Sequence, residues 1–399
     1  MHKLKAIFTG KPFILTLWFG LSLFAVVKGV LISHGVNHNF DNYIIYKHNY
    51  INLIHQHSLF GTGPEFGLDL NHYGPVFALV IAPFAWLPDK IGVILWVLFN
   101  VWILYKAIMM LPLKQSACLL ILLINANSMM GSSGNVEVNP LITALIIFSF
   151  IFIRKQQDFW AALAIILGTA IKLYGIVGLA FFFFSDNKVK LVLSLLFWSA
   201  VLFVLPMFIS SPAFIIQTYR DWYPDLQLKN AANLVSTRGY VCVMGMISKI
   251  FHYKNLPNMV VLIPALLLFL LSLTRIKYWR NVHYQMLTLA SVLIFTVIYS
   301  SGSEPPTYII AFIGVGIWLM NLQRPIGGFN WFLFIFALLI SSFSNSDVIP
   351  RYIRVNFILP YALIALPCLL VWLKIIYEML TRKFEGGDSF ESEVMSQKS

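Results

Sequence analysis

Residues 13–32 carry a single charge, Lys28, and comparable apolar runs return at 91–110, 190–209, 257–274 and 355–376. A bilayer span needs about 20 mostly apolar residues. Inside hydrocarbon every backbone polar group must be satisfied within the segment, which leaves helices as the only form for runs of this kind. About a dozen such runs or shorter pieces of them predict an all-α, polytopic membrane fold with about 12 transmembrane helices. With 59% hydrophobic and 11% charged residues in 399 positions, and a mean hydropathy of +0.79, a soluble globule is excluded. Nothing remains for a separate soluble domain. Residues 1–376 read as one membrane domain, and 377–399, rich in Gly, Ser and acids, as a disordered cytoplasmic tail.

Charge then orients the spans. His2, Lys3, Lys5 and Lys11 precede the first run, which lacks a small-x-small cleavage site and so reads as a retained anchor with a cytoplasmic N-terminus. The net charge of +12 comes from basic residues placed singly or in pairs at the ends of apolar runs, the positive-inside pattern and not a nucleic-acid surface. Cys118, Cys242 and Cys368 have neither disulfide nor zinc spacing. No cofactor is called for, and both termini are expected inside, in a bacterial plasma membrane.

Two segments break simple counting. Residues 75–87 are too few for a span and contain Pro75 and Pro83, so a re-entrant half-helix is expected there. Residues 159–184 are too many for an untilted span and contain Lys172 with Gly175 close behind; two short arms meeting near Lys172 restore the charge rule. Irregular backbone at membrane depth is tolerated only inside protein or beside a polar cavity. Both anomalies therefore predict an outward-facing cavity beneath a long first outward loop, 33–74. A second long outward loop is expected at 210–258, where Tyr219–Asp225 mixes aromatics with charges as a sugar- or headgroup-binding surface would, or forms the commoner interfacial helix anchored by Trp222 and Tyr223.

Outward carboxylates are few: Asp41, Glu65, Asp69, Asp89, Glu137, Asp221, Asp225, Glu304 and Asp347. An ionisable group at a membrane boundary is a functional candidate by default. Asp41 can take the proton of a sugar hydroxyl as general base, or simply be a solvated or capping acid. Tyr43 and Tyr46 would supply stacking and hydrogen bonds to a sugar ring. Lys172 can hold a lipid phosphate, or snorkel to the interface. Arg220 and Arg238 are weaker phosphate candidates. His72, Asn135, Glu137, Asn139 and Glu304 are candidate lining residues, with interfacial, loop or turn roles as the alternative. His34, His38, His48, His55, His57 and His72 have no metal-ligand pattern, so no metal site is expected.

The ordered set Asp41-x-Tyr43-x-x-Tyr46, Tyr73-x-Pro75 to Leu87-Pro88, Gly134-Asn135 to Asn139-Pro140 and Gly168-x-x-x-Lys172-Leu173-Tyr174 resembles glycosyltransferase family 87. That family looks like a branch of the GT-C superfamily, whose multispan enzymes take sugar from a polyprenyl-phosphate donor on the outer face. The resemblance implies a GT-C-like hexosyltransferase moving mannose to a glycolipid, glycan or protein acceptor. It also implies an inverting reaction with Asp41 as base and Tyr73 near the substrate. The chain departs from the pattern at Gly134–Asn139, two residues longer than Gly-Gln-x-Asn, at Gly175 in place of Pro, and at Ser303–Tyr308, which has no histidine. A polysaccharide polymerase or ligase, and a lipid-linked substrate transporter or flippase, are the rival readings; no internal repeat favours the transporter.

Overall fold

Every regular element among the described residues is a helix. The computed structural model describes residues 10–33, 39–61, 70–236, 239–253, 256–344, 346 and 348–384. The expectations for His34, His38, Glu65, Asp69, Arg238, Asp347 and the tail beyond residue 384 lie outside them. Four helices are long and apolar enough to cross a membrane: Lys11–Ile32, Asp89–Met109, Gln115–Gly134 and Lys188–Phe208. The other apolar helices have 10–17 residues. On Lys188–Phe208 the apolar side chains face outward, with Val189, Leu193 and Leu196 more than 60% exposed. An apolar surface of that kind belongs in lipid and not in water; this is a membrane protein.

The chain gathers into two compact units. The first comprises Leu15–Ala107 and Met129–Ala231; the second comprises Met1–Ile14, Ile108–Ser128 and Ala232–Ser399. In the second unit the helices Val282–Ile298 and Tyr308–Asn321 pack along each other and against Ala365–Thr381. Trp372, fully buried, donates its indole N–H to Ser291 Oγ at 2.9 Å and so satisfies the one polar atom that its burial would otherwise strand.

Three expectations are corrected here. The first loop is not irregular throughout: Asp41–His55 is a helix. Tyr43, Tyr46, Tyr50 and Leu53 recur at helical spacing and are buried, an apolar stripe hidden in the sequence by the Asn and His residues between them. The second loop is also largely helical, as Pro212–Val235 and Val243–Ile250, far beyond the interfacial helix expected around Trp222 and Tyr223. Its inward stripe includes Thr218 and Asp225, so hydropathy alone misses it. Finally, 355–376 is not one span. A π-helical turn, Arg354–Ile358, ends before Pro360, and the regular helix resumes only at Ala365–Thr381. Pro360 has no N–H to continue the ladder. Ala362 turns the chain at φ 52°, with Leu363 N–H bonded back to the Ile358 carbonyl at 2.9 Å.

The two anomalous segments of the first unit take the short forms expected. Pro75–Ala85 is an 11-residue helix with Pro75 in its first turn and Pro83 inside, ended at Leu87–Pro88. At about 1.5 Å per residue it covers roughly half of a hydrocarbon core. The 159–184 segment is split in two. Asp158–Ile171 is α-helical, Lys172 is extended at φ −148° and ψ 126°, and Leu173–Phe184 continues as a 3-10 helix. The arms lie against each other at Gly168 and Gly175. A Cβ on Gly175 would stand 2.2 Å from the Gly168 carbonyl carbon and from the Thr169 nitrogen, backbone atoms that cannot rotate away.

Gly175→Ala should therefore force the arms apart and destabilise the first unit by about 1–3 kcal/mol, the usual cost of overpacking. Gly131→Ala, where an added methyl meets nothing within 4 Å, should be neutral or slightly stabilising in a helix. Thermal unfolding of the two purified variants checks the contrast.

Candidate functional site

A polar cluster of the first unit forms where the Lys172 break meets the start of the helix Asn139–Arg154. Asn139 is fully buried. Its amide N–H donates to Glu137 Oε2 at 2.9 Å, and its amide oxygen accepts from Lys172 Nζ at 2.9 Å. One amide thus bridges an acid and a base, the only orientation that satisfies both partners. Lys172 Nζ also lies 4.7 Å from the centre of the Tyr174 ring, a cation–π contact that holds the ammonium from its other side. The cluster is half-buried at Glu137 and Lys172, where charge interactions are stronger than in water.

Local backbone chemistry explains why Glu137 points there. The helix Gln115–Gly134 closes with Glu137 N–H bonded to the Ser132 carbonyl at 3.0 Å and Val136 N–H to that of Ser133 at 3.1 Å. This is a Schellman ending, whose left-handed position normally takes glycine. Here Val136 occupies it at φ 53°, buried. A β-branched residue in that region costs about 1–3 kcal/mol, offset in part by burying the valine side chain. The next helix starts without a side-chain cap from Val138; instead Asn100 Oδ1, from Asp89–Met109, accepts from Leu141 N–H at 3.2 Å.

The other early candidates arrange themselves around the helix Asp41–His55. Asp41 is exposed in its first turn, where the helix dipole favours negative charge. The next residue, Asn42, donates to the Asn135 carbonyl at 2.8 Å, which ties the acid's end of the helix to the turn carrying Glu137. Tyr43 is fully buried and donates to the Phe84 carbonyl at 2.8 Å. Burial foremost, then the Asp89 carboxylate, hold its phenol above the ordinary range. Tyr46 is buried too, with its hydroxyl 3.4 Å from that of Tyr73 and its ring edge-on to Phe77 and Trp96. Tyr43 and Tyr46 thus pack the helix onto Pro75–Ala85, and Lys47 ties it to the start of the following helix, Asp89–Met109, by an ion pair with Asp89 at 2.6 Å. Tyr73, half-exposed, presents the edge of this aromatic cluster.

His72 has a partner that sequence reasoning did not assign. Its Nδ1 lies 2.8 Å from Asp225 Oδ2, and Trp222 donates its indole N–H to the His72 carbonyl at 2.9 Å. Asp225 is buried, and only the helical spacing of 218, 222 and 225 hinted that it faces inward. Arg220 is exposed on the same helix. Glu304, in the second unit, begins the turn Pro305–Thr307, its N–H donating to Thr307 Oγ1 at 3.2 Å.

The family model of glycosyltransferase family 87 matches residues 71–301, more than half of the chain. The chain belongs to glycosyltransferase family 87. The all-helical fold is consistent with the GT-C superfamily. Comparison with curated proteins finds no match. This family 87 member is accordingly a membrane glycosyltransferase. The matched region holds His72, Tyr73, Asn135, Glu137, Asn139, Lys172 and Arg220, while Asp41, Tyr43 and Tyr46 precede it and Glu304 follows it.

Asn139→Ala should leave Glu137 and Lys172 without their shared amide and cost about 1–3 kcal/mol, the penalty of stranding partly buried polar groups. Asn139→Leu, which keeps the volume, should lose a similar amount. Unfolding midpoints in detergent, compared with Asn135→Ala at an exposed site, measure the difference.

Proposed function

We propose that this glycosyltransferase moves a hexose, mannose, from a polyprenyl-phosphate donor to a glycolipid or glycan acceptor on the outer face of a bacterial plasma membrane. Asp41 takes the proton of the acceptor hydroxyl as its oxygen attacks the anomeric carbon. The bond from that carbon to the phosphate oxygen breaks in the same displacement, so the configuration inverts. The departing lipid phosphate gains negative charge, and Lys172 offsets it.

The observation that carries this reading is the Glu137–Asn139–Lys172 bridge at the broken hairpin. A lysine held by an amide and an aromatic face is pre-positioned, so little reorganisation is needed when charge develops. Asn42 supports the same reading, because its bond to the Asn135 carbonyl joins the helix that begins at Asp41 to the turn that leads to Glu137. The exposure of Asp41 leaves its carboxylate accessible to an acceptor. Tyr73, at the edge of the aromatic cluster, offers a ring for a sugar to stack on. Arg220 is a secondary phosphate contact in this scheme, and Asn135 a secondary lining residue.

Transfer from labelled polyprenyl-phosphate-mannose, assayed in membranes, tests the scheme. Asp41→Asn should lower the rate by a factor on the order of 10²–10⁴, the contribution of a positioned general base. Lys172→Gln should lower kcat by about 10²-fold, as loss of one charge-stabilising donor does. Unimpaired transfer by Asp41→Asn removes it as base, and no transfer by the unmodified protein from this donor removes the donor assignment.

A further inference from the structure

At one end of the second unit its basic connections meet. Arg275 lies in the connection before Val282–Ile298, Arg324 in the one after Tyr308–Asn321, and Arg382 and Lys383 at the close of Ala365–Thr381. Direct contacts hold these pieces together. Arg275 donates to the carbonyls of Met379 at 3.0 Å and Arg382 at 2.7 Å. The rings of Tyr278 and Phe384 stand 5.1 Å apart. His283 Nδ1 lies 2.7 Å from Asn321 Oδ1, and the Asn321 amide donates to the His283 carbonyl at 2.9 Å.

These contacts enclose a cavity of about 470 Å³ lined by Arg324, Arg382, Lys383, Asn321, His283 and Phe384, among others. Such a volume suits a small polar ligand or a lipid headgroup. Arg275 is committed to helix-end carbonyls, a use that the helix dipole explains. None of the three lining cations caps a helix end with its side chain, though the Arg382 guanidinium lies 5.1 Å from the centre of the Phe384 ring. Among the described residues none of them makes an ion pair, and Arg382 Nε is buried without a hydrogen-bond partner. The nearest acid on the last helix, Glu378, is buried, pairs with Lys374 at 3.3 Å and shares its charge between Lys374 and Arg382, so one carboxylate serves two cations. Positive charge is concentrated there beyond what the described carboxylates offset.

We infer that this cavity binds a phosphate group, that of an anionic lipid headgroup. Arginine forks match phosphate oxygens two at a time, and a third cation adds charge without demanding geometry. The helix that follows Arg324 opens with Phe329, Trp331 and Phe332 exposed by 64, 42 and 57%, aromatics suited to the level of a membrane interface. Basic cavities between membrane helices, on the side that positive-inside charge marks as cytoplasmic, are where anionic headgroups bind. This site is independent of Asp41 and Lys172, so it stands whether or not the proposed reaction is correct.

The full-length protein in nanodiscs of phosphatidylcholine, with and without phosphatidylglycerol, provides the test, with the melting midpoint as readout. Phosphatidylglycerol should raise the midpoint in a saturable way. Arg324→Gln and Lys383→Gln, both at exposed positions that folding does not depend on, should each weaken the apparent affinity about fivefold. Glycerol 3-phosphate added to phosphatidylcholine discs distinguishes the source: if it alone reproduces the rise, the site is a phosphate site filled from solution. Equal midpoints in phosphatidylcholine alone, with phosphatidylglycerol and with glycerol 3-phosphate, or an unaltered response in both variants, overturn the inference. Residues Glu385, Asp388, Glu391 and Glu393 follow directly in sequence. A chain ending at Phe384 should bind at least as tightly, and loss of the response on that deletion also counts against the site.

Discussion

The side-chain amide of Asn139 is the contact on which the polar arrangement of the first unit turns. It needs three separate features at once: a helix that begins at 139, a turn that directs Glu137 back toward it, and a hairpin that stops at Lys172. Each has its own local cause. Asn100 supplies the cap that Val138 cannot, Val136 accepts a left-handed turn usually given to glycine, and Gly168 and Gly175 allow two helical arms to touch backbone to backbone. A lysine and a glutamate within an apolar bundle would each be costly alone. Joined through one amide they satisfy each other.

A second layer of the unit is built from aromatic residues. The helix beginning at Asp41 is fixed to Pro75–Ala85 by Tyr43 and Tyr46, to Trp86 just beyond it by Tyr50, and clamped by Lys47 against Asp89. This packing leaves Asp41 at an exposed helix start while its tyrosine neighbours are consumed in the interface. Trp222 and Asp225 fasten the helix Pro212–Val235 to the His72–Gly74 strap that precedes Pro75. The short helix is thus held on two sides, which suits a segment of only 11 residues that has little stability of its own.

Much of this was legible from residue order. The Pro-studded short helix and the break at Lys172 followed from length and from Pro and Gly positions, because both rest on backbone rules that act within a few residues. The helix Asp41–His55, and most of the length of Pro212–Val235 beyond its Trp222–Tyr223 anchor, are hidden in the sequence because their buried stripes include tyrosine, threonine and aspartate, which hydropathy reads as loop. The single span expected at 355–376 failed for the opposite reason: apolar throughout, it concealed the effect of Pro360 and the left-handed Ala362. Asp225 was named as one acid among several; its pairing with His72, 153 residues away, has no signature in a single sequence.

The sequence by itself determined an all-helical membrane protein, its family, and the residue types from which a sugar-transfer site would be drawn. Those follow from composition, from run length and from motifs that span a few residues. Tertiary structure alone decided which candidates share a cluster: Glu137, Asn139 and Lys172 do, Tyr43 and Tyr46 serve packing, and Glu304 starts a turn in the other unit. It also gathered Arg324, Arg382 and Lys383 around one cavity. The physical reason is that run length and Pro or Gly positions act within a few residues, whereas burial and partnership depend on side-chain distances set by the packing of helices remote in the chain.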